Sequence, residues 1–330
     1  MPRSDLLMAL VRAATKGDQV LLRRALESMV AEEREKQHHV LADRLADYLR
    51  PNGNHEGKGP LVNDDRIGSL LLELVPRRTL GDLILSEPVS QACAELVEEQ
   101  QRSELLRAYG LEPRHRVLLI GPPGNGKTSL AEALAEALVV PLLVVRYDGV
   151  IGSYLGETAV RLRILFDHVR TRRCVLFFDE FDTLGKERGD LHETGEIKRV
   201  VSSLLMQVDS LPSHVLAIAA TNHPELLDRA VWRRFQLRLQ LPAPTRSQLK
   251  EWFTRLEGRL AQPMGHQPEA LASKLVGLSF AEIEEFGTDI LRRRALSIAD
   301  RNLRNVIDER LKQWQARLQA QMPSGGGQPR

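Results

Sequence analysis

The chain reads Val117-Leu118-Leu119-Ile120, then Gly121-Pro122-Pro123-Gly124-Asn125-Gly126-Lys127-Thr128, then Ser129 and an Ala/Leu-rich run without Gly or Pro. Four apolar residues bounded by turn formers predict a buried strand, and the run from Ser129 predicts a helix. Between them stands a complete G-x-x-x-x-G-K-T, the pattern of a phosphate-binding loop. A triphosphate held on backbone N–H groups needs close approach, which Gly121, Gly124 and Gly126 permit. A helix opening near Lys127 aims unpaired N–H groups and its positive dipole end at the phosphates. Lys127 is expected to reach the β- and γ-phosphates, and the Thr128 hydroxyl to ligate Mg²⁺. The plain alternative, a glycine-rich turn that binds nothing, is disfavoured by the strand before it and the helix after it. ATP is therefore expected against Gly121 through Ser129.

A second motif follows downstream. Val175-Leu176-Phe177-Phe178-Asp179-Glu180 is a hydrophobic strand ending in two acids. A buried strand carries such acids at its C-terminal mouth, where open α/β sheets place their ligands. There Asp179 is expected to hold Mg²⁺ through its water shell. Glu180 is expected to orient and deprotonate an attacking water. A small-molecule kinase needs no water-activating Glu; a nucleotide hydrolase does.

The chain's 330 residues leave room for two or three domains. Apolar content of 42% and charged content of 27% are those of a soluble globular chain. With 46 basic and 44 acidic residues the net charge is only +2, which argues against nucleic acid or an anionic membrane as partner. Cys93 and Cys174 fit a reducing cytosol and make neither a disulfide framework nor a zinc site. No run approaches the roughly 18 apolar residues of a membrane span, and a signal-peptide core is missing. The expected location is cytoplasmic.

Residues 1–50 read as a helical N-terminal region of three short amphipathic helices, either a partner-docking bundle or a packing cap. His38-His39 there reads as a solvated helix face rather than a metal site. Residues 51–60 are Gly/Pro/Asn-rich and read as a linker. From 61 to 242 five short apolar runs (117–120, 142–145, 175–178, 215–219 and 237–241) alternate with helix-like stretches. That alternation predicts an α/β core with a five-stranded parallel sheet covered on both faces. Residues 243–321 read as an all-helical lid with a C-terminal helix, and 322–330 as a disordered tail.

On these motifs the chain resembles the AAA family of ATPases within the AAA+ superfamily, over residues 70–296, in its compact single-module bacterial form. The resemblance implies a P-loop fold, ATP hydrolysis, Walker A at 121–128 and Walker B at 177–180. It implies that Asn222, in Thr221-Asn222, is the sensor that bonds the γ-phosphate or the attacking water; the bare residues also allow a turn or N-cap before Pro224. Leu227-Asp228-Arg229-Ala230-Val231-Trp232-Arg233-Arg234-Phe235 is similar to the family's arginine-finger segment. Guanidinium suits that task because it is always charged and forks onto phosphate oxygens. Arg233 and Arg234 are thereby implied to act on a neighbour's ATP, which requires a homo-oligomeric ring, expected to be a hexamer. Many relatives carry an intervening Pro-Gly, so which arginine touches phosphate stays open. The segment 277–284 is similar to the lid of the narrower AAA clade, which lacks the sensor-2 arginine of other AAA+ clades, and none stands at the matching position here; Gly81-Asp82-Leu83 lies where relatives meet adenine. Arg292-Arg293-Arg294 reads as a solvated face.

Tyr154-Leu155-Gly156-Glu157 stands where ring-forming relatives carry a channel loop that grips extended polypeptide. An aromatic ring offers sequence-tolerant contact and Gly156 lets the loop move; packing of Tyr154 on the sheet edge is the alternative. A second such loop is expected within 186–194. Three functions are open to such a chain: a ring that remodels or unfolds protein substrates, a nucleic-acid motor, and a nucleotide-dependent scaffold. Balanced charge and the aromatic loop favour the first over the second. The intact set Lys127, Asp179, Glu180, Asn222 and the paired arginines favours it over the third. Neither H-E-x-x-H nor G-x-S-x-G occurs, so any peptidase is a separate chain. Some compact relatives are encoded beside a subtilisin-like protease, which the resemblance offers as a partner.

Overall fold

The computed structural model describes residues 65–150, 155–183, 194–260, 263–296 and 303–321, with Ser28. The chain divides into two compact units, Met1–Asn63 and Asp64–Arg330, and every element with described bounds belongs to the second. The expected N-terminal helices, linker and tail lie outside the described residues.

The sheet has six strands: β1 (Leu71–Leu74), β2 (Arg116–Ile120), β3 (Leu142–Val145), β4 (Cys174–Phe178), β5 (Val215–Thr221) and β6 (Leu237–Gln240). Their order is β1-β3-β4-β5-β2-β6. The five expected parallel strands are present, from β2 to β6. The sheet is one strand wider than expected, because β1 adds at the edge, antiparallel to β3 with Leu71 opposite Val145. Its short length and exposed Leu72 and Leu74 explain why it lacks the continuous apolar signature of a central strand.

The period of two along β2 sorts its side chains between two cores. Val117 and Leu119 meet Leu130 and Leu134 of the helix Lys127–Ala137 and Leu96 of the helix Glu87–Gln101. Leu118 and Ile120 face the other way, into a cluster with Phe166 of the helix Leu155–Arg170 and Val208 of the helix Thr194–Asp209. With both faces covered, the inner strands β2 to β5 are apolar nearly throughout, whereas β6 at the edge alternates Leu237, Arg238, Leu239 and Gln240. Because β5 lies between β2 and β4, the loops leaving all three strands open side by side. The chain leaves β2 for β3 across two intervening strands and later returns to β6 on the opposite side, which makes the switch point where such sheets bind ligands.

Beyond β6 the described residues form the helices Arg246–Leu260, Pro268–Lys274, Phe280–Leu296 and Leu303–Gln321. Their core is a chain of edge-to-face rings, with Trp252–Phe253, Phe253–Phe286 and Phe286–Trp314 centroids 5.1, 6.0 and 6.1 Å apart. Each buried ring contributes about 1.5–3 kcal/mol. Gly287 makes the packing possible, since a Cβ there would stand 2.4 Å from the Trp252 ring. Within the expected solvated arginine face, only Arg292 is exposed. Arg294 instead donates to the Leu260 carbonyl at 2.6 Å, satisfying the end of the first lid helix.

Candidate functional site

The loop after β2 folds as its glycines require. Gly126 caps the helix Lys127–Ala137 with φ of 84°, a left-handed conformation. Gly121 lies so close to β6 that a Cβ would stand 2.1 Å from the Leu241 carbonyl oxygen. Lys127 is buried, and its Nζ donates to the carbonyls of Gly121 at 2.7 Å and Pro122 at 3.0 Å. Burial holds its pKa below the usual lysine value, opposed by the charges of Asp179 and Asp182. The lid is bonded to this loop. The Ala281 N–H donates to the Gly124 carbonyl at 2.9 Å and the Phe280 N–H to Asn125 Oδ1 at 3.3 Å.

The acids stand opposite. Thr128 Oγ1 donates to Asp179 Oδ2 at 3.0 Å, and the Glu180 N–H to Asp179 Oδ1 at 3.0 Å. Glu180 itself has φ of 46°, an uncommon conformation for a residue with a Cβ. It turns the chain sharply at the strand mouth, and the following Phe181 N–H returns to the Ala220 carbonyl of β5 at 2.8 Å. Asp182, buried, accepts the Thr221 hydroxyl at 3.0 Å and the Asn222 N–H at 3.2 Å. Asn222 Oδ1 is buried without a hydrogen bond, and the N-cap of the turn Pro224–Leu226 is His223, so the capping alternative for Asn222 does not hold.

A cavity of about 420 Å³ gathers Pro123 through Ser129, Asp179, Glu180 and Asn222. Gly121 and Pro122 lie behind its wall, holding Lys127. It is also lined by Asp82, Leu83 and Ile84 from the segment before the core, and by Trp252 and Phe280 from the helices beyond β6. Asp82 is locked as an acceptor of the Thr79 N–H and hydroxyl, each at 2.8 Å; these bonds hold its pKa below the usual carboxylate value. The wall thus divides between loop N–H groups, a lysine and carboxylates, and apolar and aromatic side chains such as Leu83, Ile84 and Trp252. That division suits a ligand with an anionic tail and a flat apolar head.

Residues 117–243 match the family described as ATPase family associated with various cellular activities (AAA). An uncharacterized AAA family ATPase of Sinorhizobium fredii, y4kL, is 34% identical over 96% of this chain and 99% of its own length. This chain belongs to the AAA family of ATPases. The ATPase is also 35% identical to a cell division cycle protein 48 homolog of Archaeoglobus fulgidus over 64% of the chain, which spans 30% of that protein. It is 30% identical to a 26S proteasome regulatory subunit 8 homolog of Encephalitozoon cuniculi over 77% of the chain and 68% of that protein.

Two expected residues of the ATPase stand apart from the cavity. Arg233 and Arg234 end the helix Arg229–Arg234 and do not line it. Arg234 Nε bonds Asp209 Oδ2 at 2.6 Å, and Arg116 holds the other oxygen of Asp209 at 2.9 Å. Arg233 is exposed, with no ion pair among the described residues. Tyr154 lies outside the described residues, as does most of 186–194, while Leu155 and Gly156 open the helix Leu155–Arg170. Sequence reasoning missed Asp182, the Asp209 clasp on Arg234, and Trp252. For Asp182 a signal existed: a third acid two residues after Glu180, between Phe181 and Thr183. Among the described residues no helix is long and apolar enough to cross a membrane.

Proposed function

We propose that the cavity binds ATP with its triphosphate on Gly121 through Ser129 and its base toward Leu83, Ile84 and Trp252. The observation that carries this reading is the 3.0 Å bond between Thr128 Oγ1 and Asp179 Oδ2, which sets two hard oxygen donors side by side at the phosphate loop. Mg²⁺ fits such a pair, because it takes one or two protein oxygens and fills the rest from phosphates and water. When bound it neutralises charge on the bridging phosphate oxygens. Among the described residues no cluster of three or more His, Cys, Asp or Glu competes for a metal.

In this reading Lys127 leaves the loop carbonyls for the β- and γ-phosphates, and its partial desolvation strengthens the contact. Glu180, on the cavity wall beside Asp179, accepts a proton from water as that water attacks the γ-phosphorus and the bond from that phosphorus to the β,γ-bridging oxygen breaks, leaving ADP and phosphate. Asn222 orients the same water or the γ-phosphate through its side-chain amide. The backbone turn at Glu180 and the bonds from Asp182 to Thr221 and Asn222 keep base and sensor in register, the pre-organisation on which such catalysis depends.

The arginines support a ring. Arg233 is exposed and lies away from its own cavity, so it serves a neighbour's γ-phosphate, while Arg234 is engaged with Asp209 and positions the helix end. A homo-oligomeric ring, a hexamer by resemblance, then threads and remodels protein substrates in the cytoplasm with Tyr154 as the gripping residue. The similarity to a proteasome regulatory subunit supports a protein substrate. A separate subtilisin-like protease is the partner offered by resemblance.

Mixing tests the shared site. Lys127→Ala and Arg233→Ala are each expected to lack turnover, and mixed subunits to regain part of it. No recovery at any ratio would contradict a site shared between subunits.

A further inference from the structure

The cavity holds a cation that the motifs do not include. Arg78, in the segment before the core, lines the cavity beside Lys127, Thr128 and Ser129. Its Nη1 donates to Ser129 Oγ at 3.0 Å, in the first turn of the phosphate-loop helix. The same nitrogen is 3.8 Å from Glu284 Oε1 on the lid helix Phe280–Leu296. The segment is bolted to the phosphate-loop helix independently, by the Arg77 and Arg78 N–H groups on Glu132 Oε1 at 3.0 and 3.3 Å. One arginine therefore touches both the helix that carries the phosphate loop and the lid that closes over it.

Three features suit this guanidinium to an anion. Its ion pair with Glu284 is too long for a hydrogen bond and both side chains are well exposed, at 39% and 56%. Arg114, by contrast, is fully committed, donating to Glu99 through both its backbone and its guanidinium. Guanidinium carries five donors in a rigid fork, and the Ser129 hydroxyl takes only one. Ser129 also lies in the helix turn whose free N–H groups attract phosphate. The other arginines on the wall are less suited. Arg255 is held by the Gly81 carbonyl at 2.9 Å and Glu251 at 2.6 Å, and Arg259 stands one turn further along the same helix.

We propose that Arg78 is a nucleotide-phosphate ligand that, through Glu284, fastens the lid to the phosphate-loop helix when nucleotide is bound. The proposal rests on the reading of the cavity as the ATP site. Arg78 supplies from the segment before the core a cation reaching nucleotide and lid together. Phosphate drawn between Ser129 and Arg78 holds the guanidinium in the cavity, where Glu284 can close on it. Lid position then follows the state of the site.

The test measures ADP and adenosine affinities of the purified full chain by competition against a fluorescent ADP. Lys127→Ala serves as the reference. If it binds ADP as the parent does, the ATP-site reading fails and this proposal with it. Arg78→Ala is expected to weaken ADP about 10- to 100-fold, the range for losing a charge-assisted bond, while adenosine affinity is unchanged. Arg78→Lys is expected to recover part of the loss. An ADP affinity within about threefold of the parent, or equal losses for ADP and adenosine, would overturn the contact, since a residue that only shapes the pocket affects both ligands alike. Glu284→Gln is expected to weaken ADP several-fold less than Arg78→Ala does and to show faster amide hydrogen exchange across 280–296 at saturating ADP. Unchanged exchange there would overturn the fastening.

Discussion

The Asp182 carboxylate, 1% exposed, accepts the Thr221 hydroxyl at 3.0 Å, and the same oxygen takes the Asn222 N–H at 3.2 Å. A buried anion thus ties the turn after β4 to the end of β5, the two places from which Glu180 and Asn222 enter the cavity. Removing it leaves two donors without their acceptor, each costing about 1–3 kcal/mol. Asp182→Ala is therefore expected to lose at least about 2 kcal/mol in denaturant unfolding and most of its turnover. Thr221→Val keeps the Asn222 bond to Asp182 but removes a hydroxyl that also accepts the His223 N–H at 3.0 Å, so a loss of about 1–2 kcal/mol with much of the turnover retained is expected. Equal effects of the two would mean that Asp182 does not act through this link.

Glu180 shows how function and local stability oppose each other. Its φ of 46° costs a residue with a Cβ about 1–2 kcal/mol that glycine does not incur. Glu180→Gly and Glu180→Gln are both expected to abolish hydrolysis, with the glycine variant melting above the glutamine variant. The reverse order would show that the turn is not strained.

Gly121 and Gly110 both have positive φ, 156° and 73°, yet their surroundings differ. Nothing lies within 4 Å of a Cβ placed on Gly110, whereas one on Gly121 would run into the Leu241 carbonyl. Gly110→Ala is expected to cost about 1 kcal/mol from backbone conformation alone. Gly121→Ala must also push β6 from β2, and is expected to cost more than about 3 kcal/mol or to prevent folding. Chemical denaturation of the two variants makes the comparison.

The arginine pair separates structure from catalysis. Arg234→Ala is expected to lower stability by about 1 kcal/mol, because its bond to Asp209 is partly buried, whereas Arg233→Ala is expected to leave stability unchanged and abolish turnover. Full turnover in Arg233→Ala would transfer the finger's role elsewhere.

His115 gives the stability a pH dependence. Its imidazole is buried, and burial holds its pKa below the usual 6.5. Above pH 6.5 it is neutral in both folded and unfolded chains and contributes nothing to the slope. Below that value the unfolded chain takes up a proton that the folded chain refuses, so stability falls as pH falls. The parent is expected to lose more stability between pH 7.5 and about 5.5 than His115→Gln does. Identical losses would contradict a neutral buried imidazole.

The inner parallel strands could be read from sequence because a strand covered on both faces must be apolar along its whole length, as Val175 to Phe178 is; β6 instead alternates Leu237, Arg238, Leu239 and Gln240. The edge strand could not. Leu71 to Leu74 is half exposed, and its partner β3 lies about seventy residues away, a pairing no local pattern states. The proposed ATP-site motif was legible for a related reason: the roles proposed for Gly121, Lys127, Asp179 and Glu180 rest on backbone freedom and charge, which residue type alone specifies. Asp182, Asp209 and Arg78 act through partners remote in sequence. Pro76-Arg77-Arg78 looks like any solvated basic pair until the fold brings Ser129 and Glu284 to it.

The most direct measurement is release of inorganic phosphate from Mg²⁺-ATP by the purified full chain and by Glu180→Gln, with bound ATP determined in the same samples. Steady release by the parent, and retained ATP without release by Glu180→Gln, is the predicted result. Release by Glu180→Gln at the parent rate would contradict a carboxylate at the mouth of β4 as the group that activates water.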